Sequence, residues 1–308
     1  MTDAPLIVSV PGNTLRDALG TPPDRVEVVV WDMASAPPAA HLDVVVPPYM
    51  GTAALLGALA DVTTRLVQSQ SIGYDHVLGA LPPGHVFANA ASVHETSTAE
   101  LTLALVLASQ RGIPEFVRAA SEGRWAPEQR ESLADRRVLL LGYGGVGRAI
   151  EARLAPFEVE IVRVASRARH DEAGAIHGLD ELPALLPTAD IVIVGVPLTD
   201  ATTGLVDDAF LSALPDGALL VNIARGKVAD TAAILDHATR GRLRFALDVT
   251  DPEPLPDGHP LFALPNVLIS PHVGGASTAM MPRMAKLLRT QIERMLRGEE
   301  PLNVVLRS

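Results

Sequence analysis

Along the chain, short runs of β-branched and aliphatic residues alternate with longer stretches whose apolar positions recur at helical spacing. The runs 6–10, 26–31 and 44–46 read as strands, each closed by Pro, Asp or Gly, and 65–70 reads as the next strand. Segment 53–60 reads as a helix before it. Strands alternating with helices imply a parallel sheet with helices on its faces. A long helical pattern opens near residue 97 and runs to 110, with Thr98 and Glu100 close to its start. Leu101, Leu105 and Ala108 share one face, while Leu103, Val106 and Leu107 widen the apolar surface. A helix apolar nearly all round is expected between layers, here as the connector of two domains.

The alternation then resumes. Strands are predicted at 137–141, 160–165, 191–194, 219–222, 244–247 and 267–269, with helices at 146–154, 180–186, 207–214 and 231–239. A last helix, 279–297, is expected to leave this second unit and return to the first. The pattern predicts an α/β protein of two domains: 1–97 with 277–308, and 98–276.

Composition narrows the chemistry. Hydrophobic residues make up 48% of the 308 but aromatics only 4%, so the core must be aliphatic. A formal net charge of −11 argues against nucleic acid or an anionic membrane as partner, because both need basic patches. With no cysteine there is no disulfide framework, thiolate metal site or thiol nucleophile, and no metal is expected. The N-terminal residues carry no basic leader followed by an apolar stretch, and no uncharged run reaches the length of a membrane span. The expectation is a soluble cytoplasmic protein.

The predicted strand 137–141 runs straight into Gly142-Tyr-Gly144-Gly145-Val146-Gly147, and a helix follows. Gly-x-Gly-x-x-Gly is weak alone; between a strand and a helix of a βαβ unit it reads as a dinucleotide turn. The first glycine permits the tight turn, the second lets the backbone approach a pyrophosphate, and the third packs helix on strand. The anion then meets free N–H groups at the positive end of the helix. An NAD site wants a carboxylate about 20 residues further on, for the ribose 2′-hydroxyl. Here the next strand ends in Ser166-Arg167-Ala-Arg169, with Ser166 19 residues after Gly147 and no acid among them. A hydroxyl and two guanidinium groups suit a 2′-phosphate, which points to NADP(H) ahead of NAD(H) unless Asp171 or Glu172 neutralises the arginines.

Three further segments each set a polar group just after a predicted strand: Arg225, Glu253 and His272. In open α/β sheets ligands sit beyond the carboxyl ends of strands. Reduction of a 2-keto acid needs a cation to hold the carboxylate and polarise the keto oxygen, a proton donor, and a carboxylate to keep that donor charged. Arg225, His272 and Glu253 match those needs in turn, histidine being the side chain that ordinarily titrates nearest neutrality.

With these segments in view, the chain resembles the D-isomer-specific 2-hydroxyacid dehydrogenases over almost its whole length. The segments that carry the resemblance are the Gly142–Gly147 turn, Val196-Pro197-Leu-Thr199, Asn222-Ile223-Ala224-Arg225-Gly226, Asp248-Val-Thr-Asp-Pro-Glu253-Pro and Ser270-Pro-His272-Val-Gly274-Gly275. The resemblance implies two Rossmann-like domains, a cleft active site and a homodimer. It implies that Arg225 binds substrate, Glu253 partners the histidine and His272 is the acid/base. Cofactor contacts are implied for the glycine turn, Val196, Pro197, Ile223, Ala224, Arg225, Asp248, His272 and Gly274. It also sets Ser71-Ile72-Gly73-Tyr-Asp75 in a substrate loop, where the N–H groups of Ile72 and Gly73 would bind the carboxylate and Asp75 would serve as a structural cap. Tyr49 and Met50, after Pro47-Pro48, are read either as a pocket wall or as a surface loop.

Many NAD-using relatives carry Asp where this chain has Ser166 or Arg167, and Glu158 stands where glycine is common. The Asp-Val-Thr-x-Pro-Glu-Pro segment is similar to glyoxylate/hydroxypyruvate reductases, so a small 2-keto acid is the expected substrate. A formate- or phosphite-type dehydrogenase fits less well: the phosphite relatives place lysine where Ile72 stands, and the formate relatives pair their histidine with Gln. A dinucleotide-sensing regulatory protein of the same fold is the alternative from another class.

Overall fold

The structure is a computed structural model and describes residues 4–51 and 53–308. The first three residues, on which the expectation of no leader partly rests, lie outside the described residues. The chain forms two compact units. One runs through His94 and resumes over Ser277–Ser308; the other is Glu95–Ala276.

In the first unit, strands β1 (Leu6–Val10), β2 (Val26–Val30), β3 (His41–Val45), β4 (Thr63–Gln68) and β5 (Val86–Ala88) lie parallel in the order β5-β4-β3-β1-β2. The C-terminal strand Val304–Arg307 adds antiparallel to β5 and completes six strands. Alternation along the strands sends side chains to two faces. Val8, Val10, Val44 and Leu66 face α1 (Asn13–Leu19) and the C-terminal helix Met280–Leu296, whose Met284, Leu288 and Ile292 are buried there. Leu42, Val45, Val67 and Phe87 face the opposite way, with Leu56 and Leu59.

The second unit opens on α2 (Glu95–Arg111) and α3 (Ile113–Ser121). Its sheet joins β6 (Arg137–Leu141), β7 (Glu160–Val164), β10 (Ile191–Val194), β11 (Leu219–Asn222), β12 (Arg244–Leu247) and β13 (Val267–Ile269), all parallel, in the order β13-β12-β11-β10-β6-β7. Strands β8 (Arg169–Asp171) and β9 (Gly174–Ile176) form a separate antiparallel hairpin after β7. In β6, Leu139 and Leu141 pack with Val192, Val194, Leu220 and Phe210, while Val138 and Leu140 pack with Ile191, Leu219, Val106 and α4 (Gly145–Leu154) through Ile150 and Leu154. Each fully buried aliphatic side chain contributes roughly 1.5–3 kcal/mol by leaving water, and two such layers fix the strand register.

Several expectations needed correction. Segment Ala53–Asp61 is a 3-10 helix rather than an α-helix, with Gly57 at its centre weakening α-helical propensity. Helix α2 starts two residues earlier than expected and is not buried all round: Ala99, Thr102, Leu105 and Val106 are buried, whereas Leu101, Leu103 and Leu107 are half-buried. Helices α1 and α3, strand β5, the β8–β9 hairpin and the C-terminal strand had no sequence expectation. Most are three to seven residues long, too short for a period to show. Among the described residues, no helix is long and apolar enough to cross a membrane.

Candidate active site

Strands β6, β7 and β10 meet at the glycine turn. Gly142 N–H donates to Val164 O at 2.9 Å and Gly195 N–H to Leu141 O at 2.7 Å. This is the point where strand order reverses, the crevice in which doubly wound sheets bind ligands. Gly142 has φ +109, and a Cβ there would lie 2.5 Å from the Gly195 backbone; a Cβ on Gly147 would collide with the Gly142 carbonyl oxygen. Around Gly144, by contrast, a Cβ would meet nothing within 4 Å. Two glycines are therefore required by packing, and the middle one borders open space at the N-terminus of α4. That combination fits a pyrophosphate: close backbone, no side chain, and the N–H groups of Gly145, Val146 and Gly147 in the first helical turn.

At the end of β7, Ser166 and Arg167 are exposed. Arg169 opens the hairpin, and its Nη2 donates to Tyr143 O at 3.2 Å. Among the described residues none of the three meets a carboxylate. Asp171 accepts from Ala173 N–H at 3.0 Å within the hairpin turn instead of pairing with an arginine. Val196 and Pro197 follow β10, and their loop is tied by the buried Thr202, whose hydroxyl donates to Pro197 O at 2.6 Å and accepts from Thr199 N–H at 2.8 Å.

The three reacting groups predicted from sequence follow three adjacent parallel strands, β11, β12 and β13. Glu253 Oε1 and His272 Nδ1 are 2.5 Å apart, which leaves Nε2 of the ring as the atom for a substrate. Both side chains are partly exposed, at 38% and 27%, so the pair is open to a ligand. Arg225 is half-buried, with Nη1 donating to Ala224 O at 2.8 Å. The buried Asn222 shapes its turn: Oδ1 accepts from Ala224 N–H at 3.1 Å and Nδ2 donates to Arg225 O at 3.2 Å. Gly226 follows with no room for a side chain, since a Cβ would overlap Thr250 O.

Asp248, expected at the cofactor, is 3% exposed and has both oxygens engaged. Oδ1 accepts from Ser270 Oγ at 2.6 Å and Val273 N–H at 2.9 Å; Oδ2 accepts from Gly274 N–H at 2.9 Å. Its carbonyl accepts from His272 N–H at 2.7 Å. The aspartate thus clamps the loop carrying His272, whose φ of +52 is left-handed and sparsely populated for a residue with a Cβ.

In the first unit, the loop after β4 is fixed from both sides. Ser71 O accepts from Ala90 N–H at 2.9 Å and Ile72 O from Asn89 Nδ2 at 2.9 Å. Among the described residues, the N–H groups of Ile72 and Gly73 donate to no protein acceptor. Tyr49 stacks on His94 with ring centroids 5.6 Å apart, and His94 Nε2 lies 2.5 Å from Gln70 O. Met50 is 56% exposed with φ +55. Asp75 begins a short 3-10 turn, Asp75–Val77.

Sequence reasoning missed the supporting residues. Asn222 had a local signal, since an Asx side chain reaching two residues on is a known turn device. The pairing of Asp248 with Ser270 and Gly274 had none, because it joins two loops across different strands.

Residues 103–274 match the family model described as D-isomer specific 2-hydroxyacid dehydrogenase, NAD binding domain. A glyoxylate reductase/hydroxypyruvate reductase from Homo sapiens is 31% identical over 291 residues, covering 89% of this chain and 89% of that protein. A glyoxylate reductase from Thermofilum pendens is 32% identical over 252 residues, covering 77% of this chain and 73% of that one. Among solved structures, a D-isomer specific 2-hydroxyacid dehydrogenase from Xanthobacter autotrophicus Py2 in complex with NADPH and MES superposes with a TM-score of 0.83 at 29% identity, covering 99% of this chain and 98% of that one. With the dinucleotide turn at the strand-order reversal and the histidine–glutamate pair beyond the neighbouring strands, the chain belongs to the D-isomer-specific 2-hydroxyacid dehydrogenase family, oxidoreductases that move a hydride between a nicotinamide cofactor and a 2-keto or 2-hydroxy acid.

Proposed function

We propose that the protein is an NADPH-preferring reductase of a small 2-keto acid of the glyoxylate or hydroxypyruvate type, with Arg225, Glu253 and His272 as its reacting groups. The observation that carries the reading is the 2.5 Å contact of His272 Nδ1 with Glu253, beyond a strand adjacent to the one that precedes Arg225. The bound nicotinamide supplies the hydride. Nε2 of His272 delivers the proton to the keto oxygen, and Glu253, in contact with Nδ1, orients the ring. The guanidinium of Arg225 attracts the carboxylate and polarises the carbonyl. On the family resemblance, the N–H groups of Ile72 and Gly73 in the first unit are assigned to substrate binding, as is Tyr49, held by its stack on His94.

The glycine turn, Val196, Pro197, Ile223, Ala224 and Gly274 are assigned to the dinucleotide, and Asp248 acts at that site through the loop it clamps. The phosphorylated coenzyme is favoured by Ser166, Arg167 and Arg169, three exposed groups that, among the described residues, form no ion pair or hydrogen bond with a carboxylate. The glyoxylate reductase relatives support the substrate class, and the NADPH complex of the Xanthobacter relative supports the coenzyme. The family resemblance also suggests a cytoplasmic homodimer. The exposed Ile113, Val117 and Trp125, close together along the chain, supply an apolar surface for such an assembly.

Purified protein assayed with glyoxylate, hydroxypyruvate, pyruvate and larger 2-keto acids, with NADPH and NADH side by side, tests substrate and coenzyme together. Turnover is expected to be highest with the smallest acids and NADPH. Removing the proton donor in His272→Ala or the cation in Arg225→Ala is expected to lower kcat/KM by roughly 10²–10⁴. Turnover retained in both variants would sink the assignment. Tight coenzyme binding without turnover on any acid would favour a regulatory protein instead.

A further inference from the structure

Beneath the glycine turn lies a polar network that the proposed chemistry does not use. Tyr143, the residue between the first two glycines, is 5% exposed, and its hydroxyl donates to Glu151 Oε2 on α4. The other carboxylate oxygen, Oε1, accepts from Arg163 Nε on β7 at 2.6 Å. Arg163 also lies over the Tyr143 ring, with Cζ 5.5 Å from its centroid. Glu151 and Arg163 are only 17% and 14% exposed. A partly buried ion pair costs some desolvation, which is offset when its remaining hydrogen-bonding groups are also matched. An apolar pair of similar volume would fill the same space, so the charges call for a positional reason.

The network ends on the β8–β9 hairpin. Arg163 Nη1 donates to Ala173 O at the hairpin tip at 2.8 Å. The Arg163 carbonyl accepts from His177 N–H at 2.9 Å, and Ala165 N–H donates to His177 O at 2.9 Å, which ties the hairpin base to the end of β7. The first hairpin residue, Arg169, in turn donates to the carbonyl of Tyr143. The tip, base and start of the hairpin are therefore each bonded to a member of the network or to its immediate neighbour.

We propose that Tyr143, Glu151 and Arg163 are positioning residues that hold the hairpin, and with it Arg169, at the ribose end of the dinucleotide turn, and thereby set the preference for the 2′-phosphorylated coenzyme. The proposal rests on the NADPH reading above. It places the network's effect on the 2′-phosphate and not on the pyrophosphate, because the pyrophosphate is assigned to the first-turn N–H groups of α4, whereas Glu151 and Arg163 lie beyond that turn and on β7. Burial, and then the hydrogen bond to Glu151, push the Tyr143 hydroxyl up to about 12, so its proton stays in place throughout the working range.

The test compares wild type with Glu151→Gln, Arg163→Ala and Arg163→Lys, using 2′,5′-ADP and 5′-ADP as competitive inhibitors alongside KM for NADPH and NADH. In Glu151→Gln and Arg163→Ala, affinity for 2′,5′-ADP and NADPH is expected to fall about tenfold, the scale of one weakened charge-assisted phosphate contact. Affinity for 5′-ADP and NADH should stay within about twofold, and Arg163→Lys should recover part of the loss. A merely structural network would shift both inhibitors together or neither, and either result overturns the proposal. Unchanged preference in the variants, beside clear preference in wild type, removes the network's role and leaves the coenzyme reading standing. Equal affinity of wild type for the two inhibitors removes the coenzyme reading and the network's role with it.

Discussion

The two units share one strand order and differ in what their first turn holds. Numbered within each sheet, the strands run 6-5-4-3-1-2 in both, the sixth antiparallel in the first unit and parallel in the second, so each has a switch point between its first and third strands. In the second unit that point is Gly142-Tyr143-Gly144 against Gly195, with no room for a Cβ on Gly142 and open space over Gly144. In the first unit the corresponding turn after β1 is Pro11-Gly12, where a Cβ on the lone glycine would meet nothing within 4 Å. Helix α1 behind it has 7 residues, against 10 in α4. The same sheet order therefore yields a dinucleotide cradle only where glycines let two strand ends and a helix close to backbone distance. Topology supplies the crevice, and residue size decides what enters it.

The sharpest break of that comparison is Gly142→Ala against Gly12→Ala. The first forces a side chain into the Gly195 backbone at a left-handed φ and is expected to cost about 3 kcal/mol or more and to abolish coenzyme binding. The second is expected within about 0.5 kcal/mol of wild type. Denaturant titration and coenzyme fluorescence quenching distinguish them, and similar costs at both sites would refute the contrast.

The strand ends of the second unit can be tested next. Asp248→Asn keeps the volume but turns one acceptor toward the Gly274 or Val273 N–H as a donor. A drop in kcat of roughly 10–100-fold is expected from the loosened His272 loop, with the melting temperature lowered by a few degrees. An unchanged kcat would mean that the loop holds His272 without the clamp.

A smaller effect lies at high pH. Because Tyr143 is raised from 10.0 to about 12 in the folded chain, the native state keeps a proton that the unfolded chain releases. Its contribution to stability is complete below pH 10 and is lost as pH rises toward 12. Urea midpoints should decline over that window in wild type and more gently in Tyr143→Phe; parallel curves would contradict the assignment.

The smallest effect concerns Glu158. Its φ of +58 ends the turn before β7 in the left-handed region, which explains why glycine is common there. Glu158→Gly is expected to be neutral or to stabilise by up to about 1 kcal/mol, read from a thermal melt with activity unchanged.

Much of the second unit was legible in the sequence. The strands Arg137–Leu141, Ile191–Val194, Leu219–Asn222, Arg244–Leu247 and Val267–Ile269 fall where the buried-type apolar runs put them, since a strand covered on both faces is apolar at successive positions. Arg225, Glu253 and His272 were legible as polar groups closing those runs. Helix α2 was over-read: Leu-rich spacing cannot distinguish a half-buried residue from a buried one, because that depends on what the other layer covers.

The sequence alone determined the two α/β units, the glycine turn with its required small residues, and the polar groups that follow the strands. All of these rest on local pattern: period, residue size and the order of elements along the chain. Only the tertiary structure decided that Asp248 clamps the His272 loop, that Arg169 lies on the Tyr143 carbonyl, and that Glu151 and Arg163 meet beneath the turn. Those contacts join residues 12 to 26 positions apart, and their geometry follows from the stacking of strands and helices. A side chain's partner there is set by the fold as a whole, and no period along the chain records it.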